Sequence, residues 1–567
     1  MSKVTDSIRD TRASIATVLG NPDLRRLNLA FAGSAIGDWA YATAILIWAY
    51  GVGGSAAVGI WFTIRLVLMT VITPFASTLV DRLPRRALMV WLDLIRALTC
   101  AVAALLLAVG APAITVFVVA TLTSLVSTPF RPAIAAILPS LVRSPEELVA
   151  ANGTTSTIDS LSFLVGPALG GLMVAWFDIP VVVAFNVVTF LWSAALLARI
   201  GERPDTTDEA ADEAVREPTD GQPANPGAEV EEPQGFLAES MAGFRIIAGH
   251  PGLRMVCGVY AAQTVVAGAA AVFEIEMAEQ MTSFGSHGVG FLDSVMGIGA
   301  VVGGLVAISR STAGRLASDF GVGVVFWALP LLLAAIWPQA WAAFLAMLII
   351  GVANPVVDVN AATILQRLAP EAALGRVFGA LEAALIGSMA VGAAVMPLLL
   401  NWIGLRGGLA VLAVLITVAV IPAFTRLRRM DAELAEPSAL DLLRDVALFA
   451  PLEPKALELL ARTMTRVEVP AAATVISEGD PGDRFFVVES GALTATFRGA
   501  VLSRMGPGDP FGEIALLRDV PRTATVTADQ PSVLYALDRD RFLAAVSGSV
   551  EVATRADDLI AKRIPTY

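Results

Sequence analysis

Nine ionisable side chains interrupt the long apolar runs of this chain: Asp38, Arg65, Asp93, Arg96, Arg131, Asp159, Glu274, Asp358 and Glu382. A charge inside an apolar segment that crosses a bilayer costs several kcal/mol, so such residues mark charge pairs, proton carriers or ligand contacts. Asp38, mid-way along the first run, and Glu274, deep in the seventh, lie on equivalent runs of two sets. A carboxyl group shielded from water can carry a proton at neutral pH, which makes both candidate proton carriers, with Asp159 and Asp358 next. The alternative for each of the four is an interhelical hydrogen bond or ion pair. Arg65 and Arg131 are candidate counter-charges, or contacts for an anionic substrate. Asp93 and Arg96 stand one helical turn apart near the inner face and fit gate architecture. Glu276, Glu279 and Asp293 lie near the outer ends of their runs and read as solvated.

Other chemistry is excluded by what the chain lacks. Its two cysteines, Cys100 and Cys257, sit in apolar segments and build neither a disulfide framework nor a metal site. Two histidines, His250 and His287, are too few for most zinc constellations, and no metal is expected. No GxxxxGK[ST] motif is present, and no nucleophile–base pair stands out, so an enzyme is the least supported class. A formal charge of −12 argues against nucleic acid as a partner.

The 567 residues are 56% hydrophobic and only 16% charged, with a mean hydropathy of +0.70. Most of the chain is therefore not a water-soluble globule. A helix crossing about 30 Å of hydrocarbon needs roughly 20 apolar residues. Runs of that length fall at 27–51, 55–80, 87–110, 112–138, 150–177 and 179–199, then at 254–281, 289–309, 320–337, 339–365, 374–400 and 405–425. Alternate breaks carry Arg82, Arg85, Arg86, Arg143, Arg310, Arg315, Arg367, Arg376, Arg426, Arg428 and Arg429, whereas the intervening breaks hold Arg406 alone. By the positive-inside rule both ends are cytoplasmic. Residues 201–235 hold eleven acidic side chains against Arg203 and Arg216, a composition that cannot bury enough surface to fold. Phe236, Leu237, Met241, Phe244 and Ile247 then recur at helical spacing, reading either as an amphipathic helix on the inner leaflet or as a lead-in to the seventh span. Beyond Arg429 the composition turns soluble: a helical stretch over 439–464, short alternating strands over 467–537, and closing helices at 539–547 and about 550–563.

The break after the second run holds Ser77, Leu79, Asp81, Arg82, Arg85 and Arg86, and resembles the G-x-L-a-D-R-x-x-R-[RK] loop of the major facilitator superfamily, with Ser77 in place of the first glycine. The fifth run carries Gly166, Pro167, Gly170 and Gly171, similar to the antiporter motif of drug-export branches. Asp93 and Arg96, Pro129 to Pro132, Ala151 and Asn152, and Gly375 to Val377 resemble exporters related to macrolide and siderophore efflux. The resemblance covers roughly 20–430. It implies an all-α polytopic membrane domain of twelve transmembrane helices in a 6+6 pseudo-symmetric arrangement, a small-molecule substrate, and antiport-type efflux. Asp81, Arg82, Arg85 and Arg86, with Asp93 and Arg96, would form charge-assisted pairs at the cytoplasmic gate. The plainer reading of the loop is that it only enforces topology.

A second motif runs Phe511, Gly512, Glu513, Ile514, Ala515 and Leu517, then Pro521, Arg522, Thr523, Ala524 and Val526. It resembles the phosphate-binding cassette of cyclic nucleotide-binding domains, as in the bacterial catabolite activator and kinase regulatory subunits. Glu478 to Gly482, Phe485 to Val488, Gly491 and Gly506 to Asp509 match the same family, with Pro510 in place of a common aromatic. The resemblance spans about 445–565 and implies an α+β domain, a β-roll or jelly roll with flanking helices. Gly512 would let the backbone approach a phosphate, and Arg522 would grip that phosphate as a fork. By analogy Glu513 accepts from the ribose 2′-hydroxyl. A degenerate fold that no longer binds is the alternative. Thr523 resembles the hydroxyl that cGMP-preferring kinases aim at guanine, while bacterial prevalence favours cAMP; the regulatory ligand is therefore cAMP or cGMP, cAMP first.

The expected organisation is an N-terminal segment 1–26, a six-helix bundle 27–200, an acidic linker and amphipathic helix 201–252, a second bundle 253–427, a connector 428–444 and a nucleotide-binding domain 445–567. The expected function is a proton-coupled exporter in the plasma membrane, regulated by cyclic nucleotide. The rivals are a transporter with a structural, non-binding domain, and a membrane-anchored sensor that transports nothing.

Overall fold

The computed structural model describes residues 18, 20–201, 236–310, 315–370, 373–434, 439–452, 454–547 and 555. The chain divides into two compact units on either side of residue 434. The linker expected at 201–235 and the helix expected near 550–563 lie almost wholly outside the described residues.

The first unit is helical: α1 (Pro22–Arg82), α2 (Arg85–Ala108), α3 (Ala113–Ser127), α4 (Phe130–Leu141), α5 (Pro145–Trp176), α6 (Ile179–Leu197), α7 (Phe236–Gly249), α8 (Pro251–Met281), α9 (Val289–Arg310), α10 (Leu316–Ala328), α11 (Leu331–Ile336), α12 (Ala340–Leu368) and α13 (Leu374–Leu434). Ten apolar stretches among the described residues are long enough to cross a bilayer. Two of them lie in α1 and α13, each 61 residues long, which as straight rods would span about 90 Å. Each instead folds back, α1 at Gly53 and Gly54 (φ 60° at Gly54) and α13 at Gly404 (φ 69°), backbone conformations that glycine adopts at little cost. Ten stretches thus make twelve crossings. Pro129 and Pro330 break two further crossings into α3–α4 and α10–α11.

Side-chain exposure agrees with a bilayer rather than water around these helices. On α2, Trp91, Leu98 and Leu105 form one stripe at seven-residue spacing and are each more than 60% exposed. A soluble protein would not leave such a face open. At the start of α1, Asn21 caps the helix by accepting from the Asp23 and Leu24 amides, and its Nδ2 donates to the Leu141 carbonyl (2.9 Å) and to Glu147 (3.0 Å). One asparagine so ties the starts of the first and fifth crossings together. Helix α7 is not simply laid on a surface: a Cβ on its Gly243 would stand 2.1 Å from the Arg376 carbonyl oxygen, so it packs closely on the start of α13.

The second unit opens with α14 (Ala439–Asp445) and α15 (Pro454–Thr463), a single helical stretch in expectation. Three successive turn bonds (Val446 to Leu443, Phe449 to Val446, Leu452 to Phe449) break it and turn Phe449 into the core. Eight strands follow: β1 (Thr465–Val469), β2 (Thr474–Ile476), β3 (Arg484–Ser490), β4 (Leu493–Phe497), β5 (Ala500–Met505), β6 (Pro510–Phe511), β7 (Thr525–Ala528) and β8 (Ser532–Asp538). They pair antiparallel in two sheets, β1-β8-β3-β6 and β2-β7-β4-β5. Strand β3 is buried on both faces. Phe486 stacks on Phe511 between the sheets (5.1 Å), while Phe485 stacks on Phe542 (4.7 Å) of the closing helix α17 (Arg539–Ser547). A short helix, α16 (Glu513–Arg518), sits in the connection from β6 to β7.

Candidate functional site

Gly512 lies between β6 and α16 with φ 86°, and a Cβ there would meet Arg522 Nη1 at 2.9 Å and the Arg484 carbonyl oxygen at 3.1 Å. Glycine is needed on both counts. Arg522 folds in beneath it, 5% exposed, with Nη1 donating to the Gly512 carbonyl (3.0 Å). Its Nη2 donates to the Arg484 carbonyl (2.8 Å) and to Asp483 (3.0 Å). The Arg522 amide donates to the Asp480 carbonyl (2.8 Å), and the Gly479 amide to the Arg522 carbonyl (2.9 Å), so the 478–483 turn and the Arg522 loop are stitched together. Glu513 is 1% exposed at the start of α16, Ala515 is buried, Ile514 and Ala524 are half-buried, and Thr523 is exposed. Arg539 adds a link that motif reading missed: it donates to Asp519 (2.6 Å) at the end of α16 and to the Gly482 carbonyl (3.2 Å). The arrangement sets one buried cation, a glycine and a buried carboxyl group around a short loop, which can hold an anionic ester of a polyol.

In the membrane unit the charged residues fall into separate groups. Arg96 is almost fully buried, donates to Asp93 (2.9 Å) and to Asp38, and lies over the rings of Phe190 (4.0 Å) and Phe130 (4.6 Å). Asn186 also donates to Asp38 (3.4 Å). The counter-charge of Asp38 is thus Arg96, one face of α2 having turned both Asp93 and Arg96 inward, and not Arg65 or Arg131. Arg131 pairs with Asp159 as the sequence allowed. Arg65 makes no ion pair among the described residues; it lies over Phe62 (5.0 Å) and Trp61 (5.7 Å), its Nε buried without a hydrogen-bond partner. Asp293, expected to be solvated, is half-buried, and its carboxyl group neighbours that of Glu274 on α8. Tyr260 donates to Asp358 (2.5 Å), Asn354 donates to the other Asp358 oxygen (3.2 Å), and Trp327 donates to Asn354 (2.9 Å). Glu382 is exposed. Neutral Asn186, Asn354 and Tyr260 escaped a search confined to charged groups, although an amide inside an apolar run is the same kind of signal.

Of the expected gate residues, the side chains of Asp81 and Arg82 lie outside the described residues, and Arg85 is half-buried. Arg86 donates to the Ala198 carbonyl (2.6 Å), closing the end of α6. At the arginine-bearing end of the second half, Arg310 forks Asp319 (2.7 and 2.8 Å), and Asp431 accepts from the Ala317 amide (2.7 Å) and from Ser318, capping α10.

Among the described residues, glycines bring the two six-helix sets into close contact toward one side. A Cβ on Gly290 would lie 2.1 Å from the Pro167 carbonyl oxygen, one on Gly171 2.8 Å from that of His287, and one on Gly59 2.6 Å from that of Ala393. Gly166 and Gly170 of the same run meet Trp39 and Ala40 of the first crossing instead. All of these contacts lie toward the side away from the arginines. Toward the arginine-bearing side, Gly153, Gly375 and Gly379 have nothing within 4 Å. Arg131 and Asp358 each sit ten residues, about 15 Å, from the arginine-bearing ends of α4 and α12, yet both are exposed. A charge at that depth faces the bundle interior or water rather than lipid.

The family model described as Major Facilitator Superfamily matches residues 27–321, just over half of the chain. The chain belongs to the major facilitator superfamily. To this membrane unit is joined a cyclic nucleotide-binding domain, whose family model matches residues 466–549. Neither is an enzyme family. The soluble unit is similar to a cAMP-dependent protein kinase regulatory subunit of Yarrowia lipolytica, 40% identical over 95 residues, 17% of this chain and 25% of that one. It is also similar to the CRP-like cAMP-activated global transcriptional regulator of Mycobacterium tuberculosis, 29% identical over 129 residues, 22% of this chain and 58% of that one. Acetyltransferase Pat of Mycolicibacterium smegmatis is 39% identical over 115 residues, 20% of this chain and 34% of that one. The chain thus spans less than two thirds of each of these relatives. As a superfamily member with many apolar helices it is a multi-pass membrane protein.

Proposed function

We propose that the protein is a proton-coupled secondary transporter of the plasma membrane that exports a small molecule and is regulated by a cyclic nucleotide, cAMP before cGMP, bound at Gly512, Glu513, Ile514, Ala515, Arg522, Thr523 and Ala524. The observation that carries the regulatory part is the buried Arg522 beneath Gly512, beside the buried Glu513. A fork to the cyclic phosphate from Arg522 and an acceptor for the ribose 2′-hydroxyl at Glu513 are the two polar anchors such a ligand needs. Similarity to two relatives whose names carry cAMP supports the choice of nucleotide. Both chain termini are cytoplasmic on this reading, since the arginine-rich breaks then face the cytoplasm.

Proton coupling rests on the carboxyl groups. Glu274 and Asp293 are neighbours away from water, and two carboxyl groups so placed favour sharing a proton over carrying two negative charges. Asp38 and Asp159, each with an arginine partner, are the further candidates, since protonation would release Arg96 or Arg131. Regulation requires that the nucleotide bind one transport state more tightly than the other. The join at residues 428–445 is the proposed coupling element, since few residues separate the twelfth apolar run from the soluble domain.

The test is calorimetric titration of cAMP and cGMP into the purified full chain, wild type beside Arg522→Ala, followed by proton movement in proteoliposomes with and without the nucleotide that binds. Saturable binding abolished by the substitution, with altered proton movement, is expected. No binding up to millimolar nucleotide refutes the regulatory reading; binding without any effect on proton movement refutes the coupling.

A further inference from the structure

The two halves of the membrane unit treat the acids away from their helix ends differently. In the first, Asp38, Asp93 and Asp159 each face an arginine. In the second, Asp358 and Glu382 form no ion pair with any described residue, although both are exposed. Asp358 is nevertheless fixed: Tyr260 holds one oxygen, Asn354 the other, and Trp327 holds Asn354. Each carboxylate oxygen accepts one bond and keeps a further acceptor position open. Three residues beyond Tyr260 on the same helix face, Gln263 is 3% exposed and its Oε1 has no donor. Glu382 lies near enough to Tyr260 to add its negative charge to the site. The open positions on Asp358 are acceptors, and the uncompensated charge is negative.

We propose that Asp358, aimed by Tyr260 and Asn354, binds a protonated amine of the substrate. This rests on the transport reading above and names the class of its cargo. An ammonium group supplies both the positive charge and the donors that Asp358 lacks. Pre-fixing the carboxylate by a chain of hydrogen bonds lowers the ordering cost of binding. A carboxylate placed only for architecture would have its partner among the helices, as Asp159 has in Arg131.

The experiment is fluorescence titration of the full chain in lipid nanodiscs at pH 7 with monodansylcadaverine, a primary amine, and with its N-acetyl derivative, which keeps the shape and loses the charge. The amine should saturate the wild type and the acetylated form should not. Asp358→Asn should weaken amine binding about ten-fold or more, and Asp358→Glu should restore most of it. Should Asp358→Asn fail to fold, the Tyr260→Phe and Asn354→Ala double variant, which keeps the charge but releases its aim, should bind several-fold more weakly. Equal binding of the acetylated compound, no binding of the amine, or unchanged binding in Asp358→Asn overturns the proposal. The titration uses neither a pH gradient nor nucleotide, so a protein that binds the amine through Asp358 but moves no protons loses only the coupling. Amine-driven proton movement that survives Asp358→Asn loses only the recognition site.

Discussion

Replacing Gly290 by alanine tests whether the glycine seam holds the side away from the arginines shut. The new Cβ would stand 2.1 Å from the Pro167 carbonyl oxygen and 2.9 Å from the Pro167 carbonyl carbon, both backbone atoms. Ordinary contacts begin at about 3.5 Å, so α9 and α5 must part by about 1 Å or more. Overpacking of this kind costs about 1–3 kcal/mol. The cost falls on the closed seam alone, because a seam that has opened leaves room for the methyl group. The equilibrium therefore shifts by about 5- to 150-fold toward the state open on that side. Spin labels at Asp178→Cys and Ser283→Cys, in a background without Cys100 and Cys257, would report the separation across the seam as a distance distribution. Gly290→Ala should enlarge the long-distance population. Gly304→Ala, on the same helix with nothing within 4 Å, should leave it unchanged. A Gly290→Ala protein that stays folded with the wild-type distribution would refute the reasoning.

Further outcomes follow from the charged groups. Arg522→Lys keeps the charge and loses the fork, so nucleotide affinity should fall by about 10- to 100-fold in calorimetry, while Glu513→Gln should cost less; an unchanged affinity in Arg522→Lys would rule out a fork. Arg96→Met leaves Asp93 buried and unpaired and should lower the stability of the membrane unit by about 3–5 kcal/mol, read as the thermal midpoint in detergent. Asp38→Asn keeps the Arg96–Asp93 pair and should cost well under half of that; equal losses would show that Asp38, not Asp93, is the partner that matters.

The architecture was legible because a bilayer imposes strong rules on sequence: apolar runs near twenty residues, with arginines in alternate breaks. The two 61-residue helices would have misled a reading by helix length alone, but the apolar pattern around Gly53, Gly54 and Gly404 already implied a turn. The cassette was legible because Gly512 and Arg522 answer to local constraints, a positive φ and a buried cation. What could not be read was partnership. Whether Asp38 meets Arg65, Arg96 or Arg131 depends on how α1 and α2 rotate against each other, and no spacing within one helix encodes that. The same holds for Asp293, which looked solvated by position and turns toward Glu274 through packing of α8 against α9. The glycines show the difference clearly: motif reading gave Gly166, Gly170 and Gly171 one shared role, whereas the first two face the first crossing and the third faces the opposite half.

Arg522 also bounds how a cyclic phosphate can bind. A guanidinium fork uses either Nε with Nη2 or Nη1 with Nη2, and Nη2 already donates twice, to Asp483 and to the Arg484 carbonyl. A bidentate phosphate must therefore displace one of the two. Asp483 is the easier to release, because its side chain is 73% exposed and water can replace the bond, whereas the Arg484 carbonyl is held within β3. The exchange swaps one anion for another, so the Asp483 carboxylate opposes the incoming phosphate. At about 4 Å in a watery setting that opposition is roughly 1 kcal/mol. Asp483→Asn should then bind nucleotide about 3- to 10-fold more tightly at low salt, the Gly512 and Arg484 carbonyls still holding Arg522 in place. The gain should shrink as salt screens the exposed charge. Weaker binding by Asp483→Asn would mean that the carboxylate aims the guanidinium and stays bonded throughout, with the phosphate taking a single bond from Nε or from Nη1.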